Sequence, residues 1–85
     1  MPSKTVIVGS AAGLHARSAA LIASAASEFD ARVQIATMGG DFVDASSTLG
    51  VMTLGAGEGS KVIITSEDAA AVEKIAALVE RDLGS

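Results

Sequence analysis

The sequence predicts a two-layer α+β fold, with three helices covering one face of a four-stranded antiparallel sheet. Three observations point there. Short β-branched segments and alanine-rich segments follow one another in the order β-α-β-β-α-β-α. The clearest strand segment alternates apolar and polar residues, as a sheet with one covered and one wet face requires. Each longer helical segment carries a single apolar stripe. With 85 residues there is material for one modest core, so residues 1–85 are read as a single domain.

Taken in order, "KTVIV" (4–8) is short, β-branched and bounded by turn residues, which reads as a strand. Residues 16–28 place Ala19, Ile22, Ala26 and Phe29 on one helical face. "RVQIA" (32–36) sets Val33 and Ile35 inward and Arg32 and Gln34 outward. Gly39-Gly40 then signals a hairpin into a strand around Phe42 and Val43. "SSTLGVMTLG" (46–55) reads as a short helix, capped by Ser46 or Asp44 and stopped by Gly55. "KVIIT" (61–65) repeats the features of the first strand. Residues 67–83 align Val72, Ile75, Val79 and Leu83, with Ser66 as cap and Gly84 as stop.

Composition narrows the function. Hydrophobic residues make up 49% of the chain but aromatics only 2%, so Ala, Val, Ile and Leu should fill the core with Phe29, Phe42 and the methionines. The chain has no cysteine, which removes disulfide and thiolate chemistry. "MPSKTVIVGS" lacks the apolar core of a secretion signal, and no segment has membrane-spanning length. A soluble, cytoplasmic protein is expected. The net charge of −4 argues against a nucleic-acid partner. Residues 1–27 hold Lys4 and Arg17 and no acid, so the first third of the chain is open to an arriving anion.

Several chemistries fail on inspection. "GAGEGSK" (55–61) is not a phosphate loop, because Ser60 precedes Lys61 and Val62 stands where a hydroxyl belongs. It reads as a mobile surface loop. One histidine and scattered carboxylates make no metal site, and no cofactor is implied. Nothing resembles a nucleophile elbow, and a chain this small has little room for an enclosed pocket. The protein is not expected to be an enzyme acting on a small molecule.

The remaining feature is "GLHARSAA", where the sole histidine, His15, stands at a predicted helix start with Arg17 beside it. Such a start offers unpaired N–H groups and the positive end of the helix dipole, here the amides of Ala16, Arg17 and Ser18. A guanidinium matches phosphate oxygens, and a neutral imidazole can act as a nucleophile. Gly13 permits a backbone conformation or close approach that a larger residue resists. Small side chains at Ala11, Ala12, Ala16, Ala19 and Ala20 leave room for a partner. The ordinary alternative is a solvated histidine beside a solvated arginine, without chemistry.

"GLHARSAA" resembles the active-site motif G-[LI]-H-A-R-P-A of the histidine-containing phosphocarrier (HPr) family of the bacterial sugar phosphotransferase system. "SSTLGVMTLG" is similar to that family's second signature, a serine followed by G-V-M-[ST]-L-G, so the likeness spans essentially the whole chain. The resemblance implies an open-faced β-sandwich and a phosphoryl group carried on Nδ1 of His15, stabilised by Arg17. It implies enzyme I as donor and IIA domains of sugar permeases as acceptors, with a monomer as the default state. Ala16, Ala20, Thr48, Leu49, Met52 and Leu54 fall where family members meet those partners, with Val51 expected in the core. Counting back three residues from Gly50 makes Ser47, with Ser46 as the alternative, the position of a regulatory serine. A serine kinase, a phosphatase and a transcription regulator would act there. The alternative function is a regulatory paralogue, serving a nitrogen-related branch or catabolite repression through Ser47 phosphorylation.

Two departures stand out. Ser18 replaces the motif proline, adding an N–H and a hydroxyl that would donate to the phosphate or compete with Arg17, at a looser helix start. Ser24, Ser27 and Gly50 occupy places where relatives often carry basic residues, so attraction to acidic partners should be weaker.

Overall fold

A computed structural model describes residues 1–9 and 13–81. The elements run β1 (Ser3–Ile7), α1 (Ala16–Ala26), β2 (Val33–Thr37), β3 (Val43–Asp44), α2 (Thr48–Thr53), β4 (Lys61–Ser66) and α3 (Ala69–Glu80). The sheet order is β1-β4-β2-β3 and every pairing is antiparallel. This is the predicted order and the predicted open-faced sandwich.

The register explains the layering. Val6 stands opposite Val62, Ile35 opposite both Ile64 and Val43. These side chains share one face and meet Ala19, Ile22 and Ala26 of α1, Val51 of α2, and Val72, Ile75 and Val79 of α3. Apolar burial of this kind is worth roughly 1.5–3 kcal/mol per full-sized side chain. Thr5, Ile7 and Lys61 alternate with the inward residues and remain exposed. The core is aliphatic throughout. Phe42 and the three methionines, expected to help fill it, are exposed instead, and Phe29 packs only at its margin.

Helix boundaries are tighter than expected because different side chains cap them. Of the two serines able to cap α2, Ser47 does so by accepting the Gly50 N–H at 3.0 Å, and Ser46 and Asp44 do not. Asp68, rather than Ser66, caps α3 by accepting from Ala70 N–H at 2.9 Å. The Ser66 hydroxyl is buried and accepts from Asp68 N–H, so it shapes the turn one step earlier. Strand β3 starts one residue later than predicted, after Phe42. The expected inward Leu83 and stop at Gly84 lie outside the described residues.

The glycine-rich segment after α2 is the expected surface loop, but hydrogen bonds tie it down where a mobile one was expected. Ala56 is buried and accepts from Leu14 N–H at 2.9 Å. Gly59 N–H donates to Val8 O at 3.0 Å, and Val8 N–H to Ser60 O at 2.9 Å. Those bonds fasten the segment to the chain on both sides of residues 10–12.

Candidate functional site

His15 is the N-cap of α1, with the extended backbone (φ −97°, ψ −175°) that a cap adopts. Its ring is partly exposed, and Nδ1 accepts from the Arg17 N–H at 3.2 Å. An accepting Nδ1 carries no proton, so the neutral ring holds its proton on Nε2. The lone pair of Nδ1 thus faces the amides of the first turn. Ala16 and Arg17 are exposed, and among the described residues the Arg17 guanidinium enters no ion pair. The helix has no acidic residue in its first turn to compete with an incoming anion.

Ser18 behaves differently from the expectation. Its side chain is fully buried, and its hydroxyl turns back into the preceding loop rather than out towards Arg17. The oxygen accepts from His15 N–H at 3.0 Å and has the His15 and Gly13 carbonyls as acceptors at 3.1 and 3.3 Å. Serine therefore ties the helix start to His15 and Gly13 through its hydroxyl.

Gly13 explains how the loop reaches this geometry. Its φ is +76°, a left-handed conformation that side chains disfavour. A Cβ there would stand 2.5 Å from Ala56 O and 2.8 Å from Gly57 Cα. Both reasons anticipated for this glycine hold. Ala11 and Ala12 lie outside the described residues.

Helix α2 packs against α1 and ends beside the loop that touches Gly13. Its exposed apolar side chains are Leu49 (74%) and Met52 (38%), with Thr48 half-buried and Val51 in the core. Leu54 is half-buried and packs against the core. On α1, Ala20 is exposed, and so is Leu21, which was not anticipated as surface. The signal for Leu21 was present, since it falls off the Ala19–Ile22–Ala26 stripe. Ser47 stands at the end of α2 away from Gly13. The Ser46 hydroxyl donates to Asp44 Oδ1 at 2.6 Å, and its N–H does so at 2.9 Å. These two bonds, side chain first, hold the Asp44 carboxyl below its ordinary pKa, with Arg32 adding a smaller pull.

His15 is half-exposed. An open hollow of about 500 Å³ lined by Phe29, Arg32, Val33, Asp44 and Ser46 lies at the other end of α1. Among the described residues no group of three or more His, Asp or Glu is placed to hold a metal, and no helix is long and apolar enough to cross a membrane.

Comparison with known proteins places these features. Residues 2–81 match the family model described as PTS HPr component phosphorylation site. The chain is 40% identical over 86 residues to the phosphocarrier protein HPr of Streptomyces coelicolor, covering 98% of this chain and 92% of that protein. It is similar to the crystal structure of a phosphocarrier protein HPr from Bacillus anthracis, with a TM-score of 0.85 and 40% identity over 92% of this chain and 95% of that one. It is also similar to HPr-C-His from Thermoanaerobacter tengcongensis, with a TM-score of 0.88 and 31% identity over 100% of this chain and 98% of that one.

Proposed function

The chain belongs to the HPr family of phosphotransferase-system phosphocarriers, and on that premise we propose that it shuttles a phosphoryl group on Nδ1 of His15. Phospho-enzyme I is the donor, and IIA domains of sugar permeases are the acceptors. The observation that carries this reading is the direction of the Nδ1 lone pair, which meets the Arg17 amide at 3.2 Å on a half-exposed ring at the helix start.

Transfer is an in-line displacement. The Nδ1 lone pair attacks phosphorus while the bond from phosphorus to the donor's histidine nitrogen breaks, its electron pair returning to the donor ring. As the new bond forms, the Arg17 amide gives up Nδ1. The amides of Ala16, Arg17 and Ser18 then receive phosphoryl oxygens, and the Arg17 guanidinium offsets their charge. A site open to solvent on one side lets two partners reach the same phosphorus in succession. The whole chain, 1–85, acts as one HPr domain, a cytoplasmic monomer that presents one face to each partner. Ala16, Ala20, Thr48, Leu49 and Met52 form that face. Its apolar members supply docking energy where basic residues are few. Ser47 is the regulatory serine, placed where a phosphate would enter the α2 cap and add charge to the docking face.

Incubation with phosphoenolpyruvate, Mg²⁺ and a bacterial enzyme I tests the proposal. Mass spectrometry should find one acid-labile phosphoryl adduct, absent from His15→Ala. An unmodified protein, under conditions that charge a control carrier, overturns it.

A further inference from the structure

We infer that Ser18 is a positioning residue for His15, its buried hydroxyl clamping the His15 main chain so that Nδ1 stays turned to the helix start. This rests on the reading that Nδ1 is the phosphoryl acceptor.

Among the described residues only Ser18 and Ser66 are buried polar side chains, and a hydroxyl without partners at such a place would be strongly unfavourable. The Ser18 hydroxyl finds its partners on His15 and Gly13. It accepts from His15 N–H at 3.0 Å and reaches His15 O at 3.1 Å, touching the polar groups on both sides of the His15 Cα. The φ and ψ torsions of His15, which set the direction of its Cα–Cβ bond, lie between those groups. Its single proton is shared between His15 O and Gly13 O at 3.3 Å, which adds the loop before the histidine to the same clamp. The ring completes the reciprocal arrangement by accepting from Arg17 N–H. Each half supports the other, as in a capping box.

The family motif has proline at this place. A proline ring fixes its own φ but has no oxygen to receive the His15 N–H. Serine thus secures the same turn through hydrogen bonds to the residue that does the chemistry. The hydroxyl touches no phosphoryl oxygen and has no role as an acid or base.

Ring-nitrogen NMR of His15 at a pH where the ring is neutral tests this in the native protein and in Ser18→Ala. The native ring should be almost wholly in the form protonated at Nε2, and the variant should shift to a mixture of both forms. The His15 amide of the variant should exchange about five- to tenfold faster, the scale of a lost cap. Transfer from phospho-enzyme I should slow by a similar factor at saturating carrier, with KM for enzyme I unchanged. Ser18→Thr, which keeps the hydroxyl, should restore the native ring signals. A folded Ser18→Ala with native ring signals and native turnover overturns the assignment. Were the alanine variant to unfold, the native protein decides. Its Ser18 hydroxyl proton should be visible, slow to exchange and close to the His15 amide; a freely exchanging hydroxyl overturns the assignment. The ring measurements need no donor, so a native protein that enzyme I fails to charge removes the phosphocarrier reading and leaves the Ser18 comparison to be judged separately.

Discussion

Replacing Gly13 by alanine strains the chain twice at one residue, and the two effects can be measured apart. Its φ of +76° is unfavourable for alanine by about 1–2 kcal/mol. The added Cβ would also stand 2.5 Å from Ala56 O, a main-chain atom that cannot rotate away. Relief requires the two loops to part, which breaks the 2.9 Å bond from Leu14 N–H to Ala56 O. A buried main-chain group left unpaired is unfavourable by about 1–3 kcal/mol. The expected loss is therefore about 2–5 kcal/mol. Gly59 supplies the control, since its φ is +84° but nothing lies within 4 Å of a Cβ there. Gly59→Ala should show only the conformational part, about 1–2 kcal/mol. Urea unfolding of both variants measures the difference, and in a chain of this size each kcal/mol also lowers Tm by roughly 4–8 °C. If the two variants agree within about 0.5 kcal/mol, the contact between the His15 loop and Ala56 contributes nothing, and the account of Gly13 is wrong.

Ser46→Ala should raise the Asp44 pKa towards its ordinary value, because the Ser46 hydroxyl is the chief cause of its depression. The folded-state pKa lies below the unfolded one, so the stabilisation from this pair is present at neutral pH and fades as pH falls through the lowered value. The stability gap between native and Ser46→Ala should therefore close in acid, and an Asp44 carboxyl titration unmoved by the substitution refutes it. Leu49→Asp should leave unfolding within about 0.5 kcal/mol of native, because the side chain is 74% exposed. Under the proposed function it should raise KM for phospho-enzyme I on the order of tenfold through lost apolar docking, and an unchanged KM removes Leu49 from the partner face.

The sheet and its helices were legible because periodicity and burial are the same fact seen twice. Val33 and Ile35 alternate with Arg32 and Gln34, and the structure buries the first pair. The positions that escaped are those where several residues offer the same chemistry. Asp44, Ser46 and Ser47 all have an oxygen able to cap α2, and only the chain path after the Gly39-Gly40 turn selects Ser47. Ser66 and Asp68 present the same choice at α3. The outward turn of Phe42 was hidden because strand alternation needs a register, and β3 has only two residues. At the site, the placement of His15 at a helix start was readable from its neighbours. The direction of the Ser18 hydroxyl was not, since a serine in a first turn can face the loop or the solvent. Local sequence does not contain the packing that buries Ser18.

A ring that stops a helix occupies a post that a dianion fills equally well. Under the proposed function, cargo bonding to Nδ1 would exchange one occupant of the α1 terminus for another, and the same amides would be answered by stronger acceptors. No segment has to melt or wind as the load comes and goes, so empty and charged forms would share one backbone. Partners would then sort the two by the charge at a single point, rather than by shape.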